Sequence, residues 1–391
     1  MINTAIDIED QFLAKIRENN AGWQSSRVRK LLIIYDPNSF FIGDCLTHLR
    51  QVRVLKNYFK NVTIHIQSKY PQITEVIRNH PLIDACEIKS AGQSDLAAYD
   101  LVLYGAEDER EILQAVQHLD DLENLHTCLF AISESTSEVK TRLFDNLPVR
   151  LTEADHRAAP QANEIYLSSD ELTEAQNNLA ARGLRKNENL VVLLDSSTKQ
   201  VKMLNTLQYF KLIQLLGALR DVRFLVFDKD DVGKEQFYKS FLSDRQLFDK
   251  IIFVKKEGLR QSISMLAHPQ VKCVFGPCTG LLHCASGVYH GMLESGRIER
   301  RHLPILVAYC GRYDQGIIEN EFAWWGGTLV DCIKLTGSDG TDTHIDVVTA
   351  RDADVDLFLR DLRYCSEYTA AQIFAFMLAR YEGRMKTLGL L

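Results

Sequence analysis

The chain has 391 residues, of which 46% are hydrophobic and 25% charged, and its formal net charge is −7. This length exceeds what one hydrophobic core usually serves, so we expect two domains. The mild acidity and the lack of a long Lys/Arg stripe give no electrostatic reason to expect a nucleic-acid partner.

The cysteines and the N-terminal residues both bear on the compartment. The nine cysteines are scattered and mostly embedded in apolar runs, which is typical of reduced thiols in a cytosol. Cys273, Cys278 and Cys284 lie close in sequence, but their gaps match no zinc-ribbon spacing. We find no apolar core of a signal peptide and no apolar run of the roughly 18 residues that cross a bilayer. We therefore expect a cytoplasmic protein without a metal site or a transmembrane segment.

The first half of the chain predicts alternating helices and strands. A helical leader over 6–19 precedes the uninterrupted apolar run Lys30–Tyr35, which predicts a strand buried on both faces. Such alternation is typical of βαβ units in a doubly wound parallel sheet. The further predicted helices are 44–59, 70–79 and 107–119, and the further strands are 62–67, 85–88, 101–104 and 127–132.

The periodicity fades over 148–161, where we place an interdomain linker, and the alternation then resumes. Two parallel α/β halves predict a ligand cleft between them, because ligands of open α/β sheets sit at the carboxyl ends of strands. The predicted helices of this half are 169–182, 206–219, 233–242, 258–267, 352–364 and 366–388. The predicted strands are 190–194, 224–227, 250–253, 271–275 and 305–309.

The first candidate site follows the first strand, at Gly43-Asp44. Gly43 allows a tight turn, and Asp44 lies at the start of a predicted helix. A carboxylate there is also a good helix cap, so the local pattern leaves two interpretations of Asp44. In the functional one it is a general base that removes a proton from an attacking hydroxyl.

The second and third candidate sites follow strands 190–194 and 271–275. Ser197, Thr198 and the nearby Lys202 supply hydroxyls and a cation that favour an anion site, although such a loop is often merely polar. After the later strand, Thr279 and Gly280 are expected to begin a helix, with His283 one turn in. The histidine has a structural and a functional interpretation. A diphosphate leaving group would need this kind of stabilisation.

In order and spacing, these loops resemble the motifs of the heptosyltransferase family of bacterial lipopolysaccharide assembly, glycosyltransferase family nine. The family's G-D turn, T/S-x-x-x-K-x-W-P segment and D-[TS]-G-x-x-H loop have counterparts at Gly43-Asp44, Thr198 to Lys202 and Cys278 to His283. The family's N-P-x-I-D is similar to the run from His80 to Asp84. The resemblance covers roughly residues 30 to 320.

The resemblance implies a GT-B-like α/β fold, with two Rossmann-type parallel-sheet domains over 1–155 and 165–365 that face a cleft. A C-terminal helix in 366–391 would pack back on the first domain. The implied reaction is inverting and needs no cofactor or essential metal. It transfers a heptose or related sugar from a nucleotide-diphosphate sugar to a glycan or lipid-linked, lipopolysaccharide-type acceptor, with peripheral contact at the inner membrane.

Residue roles carry over position by position. Asp44 looks like the catalytic base, after the turn at Gly43. Asp230 and Cys278 are candidate contacts of the ribose or the sugar. We expect Asp228-Lys229-Asp230 to be a loop over the nucleotide rather than a metal-binding DxD, with Asp230 on the ribose or in solvent. The implied donor and phosphate contacts are Ser197, Thr198, Lys202, Thr279, Gly280, Leu281 and His283.

Three departures from the family pattern keep other functions open. Cys278 replaces the family's aspartate, Leu204-Asn205 replaces W-P, and residues 290–302 resemble an insertion. A thiol accepts hydrogen bonds from sugar hydroxyls less well than a carboxylate. The alternatives are a sugar-nucleotide epimerase on the same fold and a binding protein whose catalytic site has decayed. Trp324-Trp325 fits either an acceptor or nucleotide surface or buried packing.

Overall fold

The structure is a computed structural model that describes residues 2–105, 110–115, 119, 121–131, 163–197, 199–312, 324–337, 342–349, 359 and 361–391. The chain divides into two compact units, Met1–Asn163 and Glu164–Leu391. The predicted linker, 148–161, and most of the predicted helix 352–364 lie outside the described residues.

The first unit contains a five-stranded parallel sheet in the order β3-β2-β1-β4-β5. β1 is buried at five of its six residues, as its apolar run predicted. Phe12 and Ile16 of α1 belong to the core on one face of the sheet. The helices are α1 (Ile2–Ala21), α2 (Ile42–Leu49), α3 (Val52–Tyr58), α4 (Ile73–Ile77) and α5 (Arg110–Leu113). The strands are β1 (Lys30–Tyr35), β2 (Thr63–Ser68), β3 (Ala85–Ile88), β4 (Leu101–Gly105) and β5 (Cys128–Ala131).

The structure of this unit differs from the sequence prediction in one helix and adds a structural role for Asp84. The predicted helix 44–59 is two helices, because the backbone N–H of Arg50 bonds the carbonyl of Thr47 and ends α2. In the run that resembles N-P-x-I-D, the Asp84 carboxylate accepts from the Ile64 N–H at 2.8 Å and from Lys56 Nζ at 3.1 Å. This aspartate therefore ties the start of β3 to β2.

The second unit contains a seven-stranded sheet in the order β12-β11-β10-β9-β6-β7-β8. All neighbouring strands are parallel except β11 and β12. The helices are α6 (Ser169–Ala181), α7 (Thr206–Gly217), α8 (Lys234–Phe241), α9 (Arg245–Phe248), α10 (Leu259–Leu266), α11 (Gly280–Glu294) and α12 (Ala370–Leu388). The strands are β6 (Asn189–Leu193), β7 (Val222–Asp228), β8 (Ile251–Lys255), β9 (Val271–Pro277), β10 (Ile305–Cys310), β11 (Val330–Thr336) and β12 (His344–Val347).

Three elements and one boundary of this unit differ from the sequence prediction. β11, β12 and the one-turn helix α9 were not predicted, since short elements carry too little periodic signal. The supposed insertion over 290–302 begins with the last turn of α11 and ends in a 3-10 turn, Arg300–His302. Part of this segment is therefore helical, and its status as an insertion relative to the family stays a prediction.

The C-terminal helix α12 belongs to the second unit. Its apolar face joins the core that contains α7, and its packing back on the first domain stays a prediction. A Thr369–Gln372 capping box begins the helix, and Gly389, at φ 77°, follows its last residue. The residues of its buried face recur every three or four positions, which places them on one side of a helix: Ile373, Met377, Tyr381, Met385 and Leu388.

Candidate functional site

The carboxyl ends of three neighbouring strands form one edge of the second unit. β6 lies between β7 and β9, and all three are parallel, so the loops that follow them begin side by side. These loops carry the predicted Ser197–Lys202 segment, Asp230 and the start of α11. Gly276 allows β9 to approach β6 closely, because a Cβ there would lie 2.5 Å from the Leu194 Cβ.

An ionic network that the sequence analysis did not predict anchors the loop after β6. The Asp195 carboxylate accepts hydrogen bonds from Lys234 Nζ and, at 2.7 Å, from the Tyr238 hydroxyl. The Tyr209 and Tyr238 hydroxyls lie 2.8 Å apart, and Lys234 Nζ also donates to the Phe227 carbonyl at 2.7 Å. The network joins β6, β7, α7 and α8. The one sequence signal for this network was the aspartate that directly follows the predicted strand 190–194.

Lys202 lies in a 3-10 turn, Gln200–Lys202, and is 8% exposed. Upstream, Ser197 Oγ accepts from the Lys199 N–H at 3.3 Å, while Thr198 lies outside the described residues. Leu204 is buried in the core, and Asn205 caps α7 by accepting from the Leu207 N–H at 3.0 Å. Leu204-Asn205 therefore serves packing and capping where the family pattern has W-P.

The helix α11 begins at Gly280 with an N-terminus that has no side-chain cap. Thr279 occupies the N-cap with extended backbone, but its hydroxyl makes no capping bond. Its Oγ1 is also buried and has no hydrogen-bond partner within the described part of the chain. The first N–H groups of a helix carry partial positive charge, so an uncapped start can bind an anion.

Cys278 and His283 meet at this helix start. The Cys278 Sγ lies 3.7 Å from His283 Nε2. The His283 ring stacks on Trp325, with centroids 4.1 Å apart and planes at 14°, and Trp324 approaches it edge-on at 6.3 Å. Trp325 is buried, which favours packing over a ligand surface for that residue. The tryptophan fixes the orientation of the imidazole.

The aspartates at the end of β7 and directly after it have separate roles. Buried Asp228 accepts from the Val232 and Lys234 N–H groups at 2.9 and 3.2 Å, so it shapes the turn into α8. Asp231 forms ion pairs with Lys255 and Lys256 at 3.6 and 3.1 Å. Asp230 is exposed. Within the described ranges, no group of three or more His, Cys, Asp or Glu residues is arranged to hold a metal.

In the first unit, half-buried Asp44 lies in the first turn of α2. The N-cap is Phe41, so Asp44 is the third helical residue and not the cap that one interpretation expected. A carboxylate is stabilised at this end of a helix. The Thr47 hydroxyl, in the next turn of α2, donates a hydrogen bond to the Gly43 carbonyl at 3.0 Å. This bond stabilises the turn that contains Asp44.

The loop between β1 and α2 is held by an aspartate and an aromatic cluster. Asp36, whose side chain is fully buried, accepts from the Ala91 N–H at 2.8 Å and pairs with Lys69 Nζ at 3.5 Å. The Phe40 ring lies 5.5 Å from Tyr70, whose hydroxyl donates to the Asn38 carbonyl at 2.8 Å. These contacts fix the path of the backbone toward Asp44, and the sequence analysis did not predict them.

His48 lies one turn after Asp44 on α2 and is fully buried. Burial, and then the nearby positive charge of Arg50, lower its pKa from 6.5 to about 4. Its ring lies 5.1 Å from Tyr35. His48 is therefore neutral near pH 7 and adds no positive charge beside Asp44.

The comparisons with known proteins give the fold a name. No protein-family model and no curated protein matches the sequence. The ADP-heptose LPS heptosyltransferase II of E. coli is similar in structure, with a TM-score of 0.58 and 13% identity over 90% of this chain and 98% of that one. A glycosyl transferase family 9 structure from Veillonella parvula gives a TM-score of 0.57 and 13% identity over 92% and 97%.

The fold is that of the heptosyltransferases. The match spans nearly the full length of both chains, so it includes both parallel-sheet domains. At such low identity the similarity extends to the fold alone, and the chemistry has to be argued from the residues. Among the described helices, none has the length and apolar character that a membrane crossing requires.

Proposed function

We propose that the protein is a glycosyltransferase that moves a sugar from a nucleotide-diphosphate sugar to a hydroxyl of a glycan or lipid-linked glycan. One observation carries the proposal. The uncapped start of α11 and the loop with Ser197 and Lys202 follow adjacent parallel strands, β9 and β6. Backbone N–H groups and a lysine at one sheet edge fit a diphosphate.

The donor half of the proposed reaction takes place at this edge. Lys202, Ser197 and Thr198 would bind the diphosphate together with the N–H groups near Thr279, Gly280 and Leu281. His283 would contact the donor, Cys278 its sugar, and exposed Asp230 its ribose. As the bond from the anomeric carbon to the diphosphate breaks, negative charge grows on the leaving oxygen, and these donors stabilise it.

The acceptor half would be supplied by Asp44 as general base. It takes the proton of the acceptor hydroxyl, whose oxygen forms a bond to the anomeric carbon while the nucleoside diphosphate leaves. A single displacement of this kind inverts the anomeric configuration. Neutral His48, one turn along α2, contributes no positive charge that would depress the basicity of this carboxylate.

We further propose that transfer needs no divalent metal, because Lys202 and the helix start supply positive charge for the leaving group. The nine cysteines are all free thiols, which suits a reducing cytoplasm. The E. coli fold neighbour named for ADP-heptose and LPS supports a heptose or a related sugar as the donor and a lipopolysaccharide-type acceptor, with peripheral contact at the inner membrane.

A second candidate function, nucleotide-sugar binding without turnover, is favoured by one position. Cys278 stands where the resembled family has an aspartate, and its sulfur faces His283 Nε2 at 3.7 Å. A thiol there is a weaker partner for a sugar hydroxyl than a carboxylate.

A ligand panel followed by product analysis tests these functions. Thermal shifts with ADP-, GDP-, UDP- and CDP-sugars should identify a donor, because a ligand at 100 times its Kd adds about 2.7 kcal/mol of stability. With that donor and a glycan acceptor, we expect a transferred sugar of inverted configuration, also in the presence of EDTA. Stabilisation without any transfer would favour the binding protein. A donor that is altered but not transferred would indicate an epimerase.

A further inference from the structure

Cys278 differs from the other cysteines in its surroundings. Of the nine thiols, seven are buried, and only Cys86 and Cys278 are partly exposed. Burial raises the pKa of Cys86 to about 11, with Glu87 adding to the effect. Cys278, in contrast, lies 3.7 Å from an imidazole nitrogen.

Two features of the Cys278 position favour its thiolate form. His283 Nε2 can take the thiol proton and then donate it back as a hydrogen bond to the sulfur. Cys278 also directly precedes the uncapped start of α11, where the helix dipole favours negative charge. Stacking on Trp325 holds the imidazole in place for this pairing.

Three further titratable groups on β9 and α11, the elements that flank Cys278, stay neutral near pH 7. Burial raises the pKa of Cys273 to about 12 and raises that of Cys284 further, so both remain thiols. Burial also lowers the pKa of His290 to about 4, which keeps that ring neutral. Arg260 on α10 is already in an ion pair with Glu171 at 2.6 Å.

We infer that Cys278 and His283 form a thiolate–imidazolium pair and that Cys278 is a site of covalent modification by soft electrophiles. With an alkyl halide, the sulfur attacks the halogen-bearing carbon, the carbon–sulfur bond forms, and the carbon–halogen bond breaks to release halide. The imidazolium then returns its proton to solvent. The partial exposure of Cys278 gives the reagent access.

Modification would also affect the proposed donor site. This second consequence rests on the proposed function. An alkyl group on Sγ would occupy space at the start of α11, where the diphosphate is proposed to bind. Conversely, a bound diphosphate would cover the thiol and disfavour its negative charge. Alkylation and nucleotide binding should therefore be mutually exclusive.

The experiment measures alkylation of the full chain by iodoacetamide near pH 7, cysteine by cysteine, by peptide mass spectrometry. We expect Cys278 to react at least about 10-fold faster than Cys86, because only the thiolate is a nucleophile. His283→Gln should slow Cys278 by a similar factor and leave Cys86 unchanged, with Cys278→Ser as the unlabelled control. Equal rates at the two cysteines, or a rate at Cys278 that ignores His283→Gln, would overturn the pair.

A second measurement covers the case in which His283→Gln fails to fold. The ultraviolet absorbance of thiolate near pH 7 should be lower in Cys278→Ser than in the unchanged protein, and an identical absorbance would contradict the inference. ADP, GDP, UDP and CDP are then added to the alkylation. Protection of Cys278 by one of them supports the donor site. Fast labelling without any protection would leave the reactive pair standing and count against the proposed function.

Discussion

The ammonium group of Lys234, the first residue of α8, donates a hydrogen bond to the carboxylate of Asp195. Asp195 is the second residue beyond the end of β6. The two side chains are only 16% and 10% exposed. Asp195 stands two residues before Ser197 in the proposed diphosphate loop. The pair therefore links the path of that loop to the neighbouring strand–helix unit.

Lys234→Met should lower the free energy of unfolding by about 3 kcal/mol, because it leaves the Asp195 carboxylate buried without its cation. Urea denaturation measures the change. Lys239→Met, on an exposed position of the same helix, is the matched control and should alter stability by less than about 0.5 kcal/mol. Adding Asp195→Asn to Lys234→Met should recover part of the loss. Equal stability of the two single variants would show that the ion pair contributes little.

Asp44→Asn should cut turnover by roughly 100-fold or more, because an amide cannot accept the proton of the attacking hydroxyl. Donor affinity, measured by calorimetry, should stay within about twofold. The control is Asp95→Asn, which removes an exposed carboxylate of the same unit and should leave turnover intact. Near-normal turnover of Asp44→Asn would remove Asp44 from the mechanism.

Lys202→Ala should weaken the binding of a nucleoside diphosphate by roughly 10- to 100-fold, because a charge-assisted contact contributes about 1.5–3 kcal/mol. The affinity for the nucleoside without phosphates should hardly change. Lys199→Ala removes an exposed lysine three residues earlier and should have a smaller effect. Equal losses for nucleoside and diphosphate would mean that buried Lys202 acts through the fold of the loop.

His48 should make the first unit less stable in mild acid. Its pKa is lowered from 6.5 to about 4 in the folded protein, so between these values the unfolded chain binds more protons. The free energy of unfolding should therefore fall as the pH decreases from about 6.5 to 4, by about 3 kcal/mol in total.

His48→Gln is the test of this pH effect, with urea denaturation measured at several pH values. The variant should lose that part of the pH slope, whereas His126→Gln, which replaces an exposed histidine, should keep it. An unchanged slope in His48→Gln would show that other groups cause the acid sensitivity. The experiment also shows whether the His48 ring is neutral in the folded protein near pH 7.

The fold class and the positions of the candidate loops could be predicted from the amino-acid sequence alone. Long apolar strands such as Lys30–Tyr35 carry a strong local signal, because parallel strands are buried on both faces. The helix start at Gly280 was also predicted, because Thr279-Gly280 shortly after a predicted strand is a local sequence pattern that indicates the start of a helix. The match to heptosyltransferase structures confirms the two parallel-sheet domains.

The side chains that hold these loops in place could be identified only in the folded chain. Asp195 and Lys234 are 39 positions apart, and Asp36 and Ala91 are 55 apart, so no local pattern could pair them. The packing of α12 in the second unit likewise depends on the apolar surface of α7 that it covers. Local sequence fixes strand and helix preferences through backbone sterics and periodicity. Ion pairs, buried imidazoles and helix docking depend on neighbours that the folded chain brings together.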